Sequence, residues 1–329
     1  MLKTESEVSP ESPSVLIIAY RRASNLAQIL DLCEKANIRS IYISIDVPKE
    51  GFKEAWIDHK AVLDAIENFE AKSEVQVSKR IAKSNQGCAV TVLLGCDWAL
   101  KTANELIVIE DDCIPTPAFF RFCITQLPLL SLHKDLWIVC GTQFAPAELT
   151  EGKAFHSQYA LTWGWAVTSE KWSEIRPLYF KPSRFLRVKD FFALTPEQAF
   201  WSAGARRAHQ GFTDVWDTIF VKNMKLLNKF AILPPVNLVL NLGNDKVSTH
   251  VEGDSPWTRL EAHNPDLISS ASPSLTGFLD PWIRHNFYKI RFRHLFSTKF
   301  TLIRDILFAK TKRKFSSSLY ERLARGFTS

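Results

Sequence analysis

Residues 14 to 141 alternate between short apolar runs and longer segments whose apolar side chains recur at helical spacing. An uninterrupted apolar run such as Val15–Ala19 is typical of a strand buried on both faces, as in parallel sheets covered by helices. The alternation therefore predicts a doubly wound α/β fold, with a mostly parallel, Rossmann-like sheet and helices on both faces. The predicted strands are 15–19, 41–45, 75–81, 106–109 and 136–140, and the predicted helices are 23–36, 54–70, 87–102 and 117–132.

The region from 142 to 250 is less regular and rich in aromatic side chains. Its predicted helices are 169–175, 196–210 and 214–228. A length of 329 residues fits one large domain with appendages. We therefore expect a disordered leader, a main domain with two halves, and a C-terminal tail, at 1–13, 14–281 (14–141 and 142–281) and 282–329.

The cysteine pattern and the first residues bear on the compartment. None of the six cysteines forms a C-x-x-C pair, and several lie in apolar runs, which favours buried thiols in a reducing compartment. The first residues lack the apolar core of a signal peptide, and no apolar run is long enough to span a bilayer. These features predict a cytoplasmic protein.

Three acidic residues, Glu110, Asp111 and Asp112, follow the predicted strand 106–109. Ligands of open α/β sheets bind beyond the carboxyl ends of the strands, so this triplet is placed for binding. Close carboxylates repel one another and are stabilised by a cation, and their oxygens favour Mg²⁺ or Mn²⁺ shared with phosphate groups. A solvated acidic turn is the alternative interpretation of the triplet taken alone.

Two familiar phosphate-binding motifs are absent. No G-x-G-x-x-G follows the first predicted strand, and no G-x-x-x-x-G-K-[ST] occurs. The sequence therefore disfavours dinucleotide binding and P-loop chemistry. The charge of a bound nucleotide would be met by a metal ion and by Arg or Lys side chains instead.

The stretch LIVIEDDCIPTPAFF at 106–120 resembles the metal-binding segment of GT-A glycosyltransferases of the N-acetylglucosaminyltransferase I type and of their bacterial, haemolytic-protein-like relatives. The resemblance spans residues 14 to about 255 in order, and its further matches are 127–130, 136–139, TWGWA at 162–166, Trp172, VWD at 215–217 and NLGNDKVSTH at 241–250. It implies a GT-A fold and a Mn²⁺- or Mg²⁺-dependent, inverting transfer of a sugar. The implied donor is a nucleotide-diphosphate sugar, with UDP favoured, and the implied acceptor is a hydroxyl of a glycan or lipid-linked glycan.

The resemblance also implies roles for single residues in the nucleotide-sugar half, 14–141. Arg22 would contact the diphosphate or the base, and Asp46 would face the uracil. Glu110 and Asp111 would contact the ribose and the donor sugar, and Asp112 would bind the metal ion directly.

In the acceptor half, Asp217 corresponds to the general base. Members of the family often carry two acids after the tryptophan, whereas the second position here is Thr218, so Asp214 and Glu197 remain alternatives. His250 lies in the loop that closes over the donor, where it would contact metal or phosphate.

Trp163, Gly164 and Trp165 are candidates for the acceptor or sugar site. Aromatic faces stack on the apolar faces of sugar rings, and glycine lets a ligand approach the backbone. Packing of both tryptophans in the core is the alternative.

The predicted tail carries most of the positive charge. Residues 282–329 contain twelve Lys and Arg against two acids, a net charge of +10, whereas the whole chain carries +6, which leaves about −4 elsewhere. Basic residues interleaved with aromatics are typical of segments that lie on anionic membranes, and a basic helix docked on the domain is the alternative. No nucleic-acid-binding motif accompanies the charge. We expect peripheral contact with the inner face of the cell membrane and no nucleic-acid partner.

Two rival functions would leave different marks on the sequence. Another metal-dependent enzyme of nucleotides or phosphates is expected to carry a glycine-rich phosphate loop or a second acidic cluster. A catalytically silent sugar-binding relative is expected to have lost the acidic triplet. Neither mark is evident.

Overall fold

The computed structural model describes residues 12–180, 195–243, 260–269, 275–296 and 300. The strands within these ranges are β1 Ser14–Ala19, β2 Ser40–Ile45, β3 Gln76–Ile81, β4 Glu105–Glu110, β5 Cys113–Pro115, β6 Leu136–Cys140, β7 Phe155–Ser157, β8 Trp165–Thr168, β9 Phe230–Leu233 and β10 Val239–Asn241. The helices are α1 Ala23–Lys35, α2 Lys53–Glu70, α3 Cys88–Ala99, α4 Pro117–Leu132, α5 Ser169–Ile175, α6 Pro196–His209, α7 Asp217–Leu226 and α8 Asp280–Trp282.

Eight of these strands form one sheet in the order β3-β2-β1-β4-β8-β6-β9-β7. The strands β3, β2, β1 and β4 are mutually parallel, and β6 is parallel to β9. Only β8 and β7 run antiparallel to their neighbours in this sheet. The predicted α/β class with a mostly parallel sheet is confirmed, and each of the five predicted strands is present with ends within one residue.

Both faces of the sheet are covered by helices. Val15 and Ile17 of β1 pack in a core with α1, α2 and α4. Leu16 and Ile18 pack on the opposite face with α3, α6 and α7. Because neither face of β1 meets water, the strand has no polar face, which explains its uninterrupted apolar sequence.

The second half of the chain contains short strands that the sequence does not reveal. The strands β7 to β10 have only three or four residues each, too few for a visible alternation of apolar and polar positions. One of them, β8, lies antiparallel between β4 and β6 and joins the two parallel parts of the sheet. The helix predicted from residue 214 begins instead at Asp217, because Asp214 binds the start of α3.

The predicted tail begins as part of the domain. Ile283 is 1% exposed, and the Phe287 ring stacks on Phe144 with centroids 4.0 Å apart. Ile283 and Phe287 therefore pack on the domain, as in the docked alternative, and the expected domain bounds stay predictions. The expected leader, up to residue 11, and most of the rest of the tail lie outside the described residues. Within the described ranges, no helix is both long and apolar enough to cross a membrane.

Two glycines allow the loops after β6 and before β8 to cross the Phe119 ring of α4. A Cβ on Gly141 would lie 2.4 Å from two ring carbons of Phe119. Gly164 adopts a φ of +73°, and its Cβ would lie 3.1 Å from the same ring. The Gly141 amide donates a hydrogen bond to the Gly164 carbonyl at 2.8 Å, which joins the two loops.

We expect Gly141→Ala to destabilise the protein by about 1–3 kcal/mol, because the new methyl group must displace the buried Phe119 ring. Chemical denaturation would measure this change. The same substitution should cost clearly less in a Phe119→Leu background, where the ring is absent. The Phe119→Leu single variant is the reference for that background. An equal cost of Gly141→Ala in both backgrounds would contradict the packing argument.

Candidate active site

The carboxyl ends of β1, β2 and β4 meet at one edge of the sheet, because the three strands are adjacent and parallel. Arg22 follows β1, Asp46 follows β2, and Glu110 ends β4 directly opposite Ile18 of β1. The start of α3 lies at the same edge, since Cys88 Sγ is 3.8 Å from the Glu110 carboxylate. Beside burial, the charge of Asp217 at the start of α7 contributes to raising the pKa of Glu110. The structure thus brings together the acidic triplet and most of the predicted nucleotide-side residues.

Asp111 holds the loop that follows β1. Its carboxylate accepts hydrogen bonds from the backbone amides of Tyr20 at 2.8 Å and Arg21 at 3.3 Å. It also accepts one from the Arg22 guanidinium at 3.0 Å, and the residue is only 5% exposed. Asp111 is therefore an internal acceptor at the centre of the edge. Its predicted contact with a donor substrate stays a prediction.

Arg22 brings a positive charge into the triplet. Its Nη1 atom lies 3.0 Å from Asp111 Oδ1 and 3.6 Å from Asp112 Oδ2, and its side chain is 13% exposed. The neighbouring Arg21 points elsewhere and pairs with Asp58 at 2.6 Å. Of the two arginines after β1, the structure places Arg22 where an anionic ligand would meet the triplet.

The other two carboxylates of the triplet are less well compensated. Burial, with the charges of Asp112, Asp111 and Asp217, raises the pKa of Glu110 to about 8. Burial and Asp111 also raise the pKa of Asp112, although Arg22 opposes the shift. The ionised forms of both groups are therefore costly, and a bound cation would reduce that cost.

The end of β10 lies against Asp112, the residue that directly precedes β5. The Leu242 amide donates to the Asp112 carbonyl at 2.7 Å, and the Gly243 amide donates to Asn241 Oδ1 at 2.8 Å. A Cβ on Gly243 would lie 2.7 Å from Asp112 Oδ2. Sequence reasoning assigned no separate role to Asn241 or Gly243. The NLG stretch at 241–243 is the sequence signal from which this contact with Asp112 could have been predicted.

Asp217, the predicted general base, is the first residue of α7. Its Oδ1 accepts a hydrogen bond from the Thr218 amide at 2.7 Å. Its charge raises the pKa of Glu110 and of the Cys88 thiol, so the carboxylate lies within electrostatic range of the triplet. This position suits a base that faces a substrate held at the triplet.

The two alternative bases have structural partners. Asp214 accepts hydrogen bonds from the first amides of α3, those of Cys88 at 2.9 Å and Ala89 at 3.3 Å. Glu197 pairs with Lys225 at 2.7 Å and accepts the hydroxyl hydrogen of Tyr159. Both acids are thus engaged within the protein, and the choice among Asp217, Asp214 and Glu197 stays a prediction.

Asp46 organises the loop that precedes α3. Its carboxylate accepts the backbone amides of Val47 at 2.9 Å, Gln86 at 2.8 Å and Gly87 at 2.8 Å, and the Asn85 side-chain amide at 3.1 Å. A carboxylate offers about four lone-pair sites, so these bonds fill it. These bonds hold the loop before α3, and the expected contact of Asp46 with uracil stays a prediction.

The predicted sugar-stacking residues divide between core and surface. Trp165 is 1% exposed and packs against Trp216 with centroids 5.0 Å apart, so it follows the core alternative. Gly164 faces Phe119 rather than open space. Trp163 is half-buried and contacts the Phe144 ring edge-on at 5.0 Å. Of the three, only Trp163 keeps an exposed part of its side chain for a ligand.

The fit of this site to a divalent cation rests on its oxygen donors. Among the residues that the structure describes, no group of three His, Cys, Asp or Glu side chains is arranged as a metal site, and His250 lies outside those residues. The Glu110 and Asp112 carboxylates nevertheless match the hard ligands of Mg²⁺ and Mn²⁺. The missing side chain of Gly243 keeps Asp112 Oδ2 accessible, since a Cβ there would contact it. The residues present therefore fit such an ion.

Comparisons with known proteins do not assign a family. No family model matches the chain. The peroxisomal (S)-2-hydroxyacid oxidase GLO3 of Arabidopsis thaliana is 37% identical over 65 residues, which are 19% of this chain and 18% of that protein. Its relative GLO4 from the same plant is 34% identical over 74 residues, which are 22% and 19% of the two chains. The chain thus spans less than a fifth of the length of these curated relatives.

Solved structures show only weak overall similarity. HddC from Yersinia pseudotuberculosis matches with a TM-score of 0.33 and 13% identity over 48% of this chain and 77% of its own. A UDP-glucose pyrophosphorylase complexed with UDP-glucose matches with a TM-score of 0.36 and 9% identity over 68% and 89%. The inositol-1-phosphate CTP transferase from T. maritima matches with a TM-score of 0.38 and 8% identity over 68% and 85%. Scores this low support no conclusion about activity, so the function is inferred from the residues of the site.

Proposed function

We propose that this chain is a divalent-cation-dependent, inverting glycosyltransferase that moves a sugar from a nucleotide-diphosphate donor, with UDP favoured, to a hydroxyl group. The observation that carries the proposal is the group of carboxylates at the carboxyl edge of the sheet, where burial and mutual repulsion raise the pKa of Glu110 to about 8. Such a group favours a cation, and the edge is where open α/β sheets bind ligands. The sequence resemblance at 106–120 supports sugar transfer in particular.

Glu110 and Asp112 are the residues that would hold the cation, because Asp111 is already bound by two backbone amides and by Arg22. When bound, a Mg²⁺ or Mn²⁺ ion would neutralise charge on the diphosphate of the donor. Arg22 would add a fixed positive charge beside it, and its ion pairs with Asp111 and Asp112 orient the guanidinium in advance.

The reaction is a single displacement. The acceptor oxygen forms a bond to the anomeric carbon while the bond from that carbon to the diphosphate oxygen breaks, and attack from the opposite face inverts the carbon. The Asp217 carboxylate accepts the proton of the acceptor hydroxyl, and the nucleoside diphosphate leaves with the bonding electrons. Beside burial, the charge of Asp217 contributes to raising the pKa of Glu110, which supports a base next to the donor.

We expect the protein with Mn²⁺ to release nucleoside diphosphate from at least one UDP-sugar. EDTA and Asp112→Asn should abolish this release, because both remove the cation from the diphosphate. Asp112→Asn should also abolish any rise in melting temperature that Mn²⁺ gives the wild-type protein, which tests binding without turnover. Asp58→Asn, which removes an acid outside the triplet, is the matched control.

Two outcomes would count against the proposal. Full activity in EDTA would exclude the cation. Formation of pyrophosphate from a nucleoside triphosphate and a sugar phosphate, with no release of diphosphate from nucleotide-sugars, would instead identify a nucleotidyltransferase.

A second prediction concerns pH and stability in metal-free buffer. Because the folded-state pKa of Glu110 is raised from 4.5 to about 8, the stability linked to its protonated form is lost as pH rises through that range. Glu110→Gln keeps an uncharged side chain, so it should be more stable than the wild type at pH 8, by roughly 1–3 kcal/mol. Urea denaturation at several pH values would measure this. Glu67→Gln on the exposed side of α2 is the control, and an unchanged pH slope in Glu110→Gln would refute the buried-acid argument.

A third prediction distinguishes the proposed catalytic role of Asp217 from the structural role of Asp214. Asp217→Asn should lower kcat by about 10²–10⁴-fold, the usual effect of losing a general base, with little change in donor affinity or melting temperature. Asp214→Ala should instead lower the stability by about 0.5–2 kcal/mol, because the first amides of α3 lose their acceptor. If Asp217→Asn retains wild-type kcat, the role belongs to another residue.

A further inference from the structure

A cleft lies between the loop that follows β6 and the residues that precede β10. Its volume is about 340 Å³, within the range of small-molecule sites. Most of its lining is apolar, and its described lining residues are Gln143, Phe144, Ala145, Pro146, Ala147, Val236, Asn237, Leu260, Glu261, His263 and Trp282.

Among the described lining residues, one buried side-chain polar atom has no hydrogen-bond partner. Asn237 is 5% exposed, and its side-chain nitrogen donates to the carbonyls of Val239 at 2.9 Å and Glu261 at 3.2 Å. Those two acceptors fix the orientation of the amide, because a flipped amide would set oxygen against oxygen. The Oδ1 atom is buried and accepts no hydrogen bond from the described residues. An unsatisfied buried acceptor costs about 1–3 kcal/mol, which a hydroxyl donor from a ligand would recover.

Neighbouring aromatic rings hold the aromatic side of the cleft in place. Phe144 is held between the stacked ring of Phe287 at 4.0 Å and the edge of Trp163 at 5.0 Å. Trp282 is half-buried and lines the cleft as well. Neither Lys nor Arg is among the described lining residues, and Glu261 stands at the exposed rim. The surface thus suits a neutral ligand that combines an apolar face with a hydroxyl donor, and a pyranose ring has this chemistry.

The position of the cleft relates it to the proposed reaction. Asn237 lies four residues before Asn241, and the Asn241–Gly243 end of this segment backs Asp112. Four residues span no more than about 14 Å. We propose that the cleft is a subsite for a neutral pyranose unit of the acceptor, with one sugar hydroxyl donating to Asn237 Oδ1. The assignment to the acceptor rests on the proposed function, whereas the sugar-binding chemistry does not.

The test blocks the cleft from an exposed position. Ala147→Trp places a bulky side chain at the lining, and Ala147 is exposed, so folding should be unaffected. Leu149→Trp is the matched control, since Leu149 lies in the same short 3₁₀ turn, Ala147–Leu149, but does not line the cleft. The probes are the p-nitrophenyl β-glycosides of glucose, galactose, mannose and N-acetylglucosamine, with binding measured by saturation-transfer NMR.

We expect at least one glycoside to bind the wild type and Leu149→Trp alike, and Ala147→Trp to bind it at least about tenfold more weakly. Among its deoxy analogues, the one that lacks the hydroxyl facing Asn237 should lose a similar factor. No binding by any probe, or equal binding to both tryptophan variants, overturns the subsite.

Release of nucleoside diphosphate without acceptor is also measured in Ala147→Trp. This measurement distinguishes failure of the acceptor subsite from failure of the proposed glycosyltransferase function. Loss of glycoside binding with unchanged donor turnover supports an acceptor subsite. Glycoside binding that Ala147→Trp blocks, in a protein that uses no nucleotide-sugar, would remove the proposed function and leave a sugar-binding cleft.

Discussion

The buried carboxylate of Asp111 connects the end of β4 to the loop after β1, and the geometry of the edge depends on that connection. Two backbone amides and the Arg22 guanidinium converge on it. This middle acid is satisfied within the protein, whereas the ionised forms of the acids on either side of it are less well compensated. The site therefore combines one structural carboxylate with two, Glu110 and Asp112, whose ionisation needs help from outside the chain.

The first half of the fold could be predicted because its central strands are buried on both faces and its helices are long. β1 and β4 read as unbroken apolar runs, and α1 and α2 show apolar positions at helical spacing. The second half could not be predicted in the same way. The strand β8 has four residues, and its place between β4 and β6 is set by long-range pairing that leaves no local pattern.

The candidate site shows the same division. The triplet could be located because an acid that follows a buried strand must lie at the edge of the sheet. Residue type alone could not show that Asp46 is filled by four hydrogen bonds, or that Trp165 faces the core while Trp163 stays half-buried. Whether a polar side chain serves a ligand or the protein depends on which backbone amides reach it, and those amides come from distant loops.

The hydrogen bonds from the first amides of α3 to Asp214 report on the movement of the segment that precedes α7. The first amides of a helix have no partner within the helix and ordinarily exchange their hydrogens readily with water. Here the Cys88 and Ala89 amides are held by an acid more than 120 residues away, immediately before α7. Deuterium uptake at these two positions therefore records how often the segment carrying Asp217 lifts from the edge of the sheet.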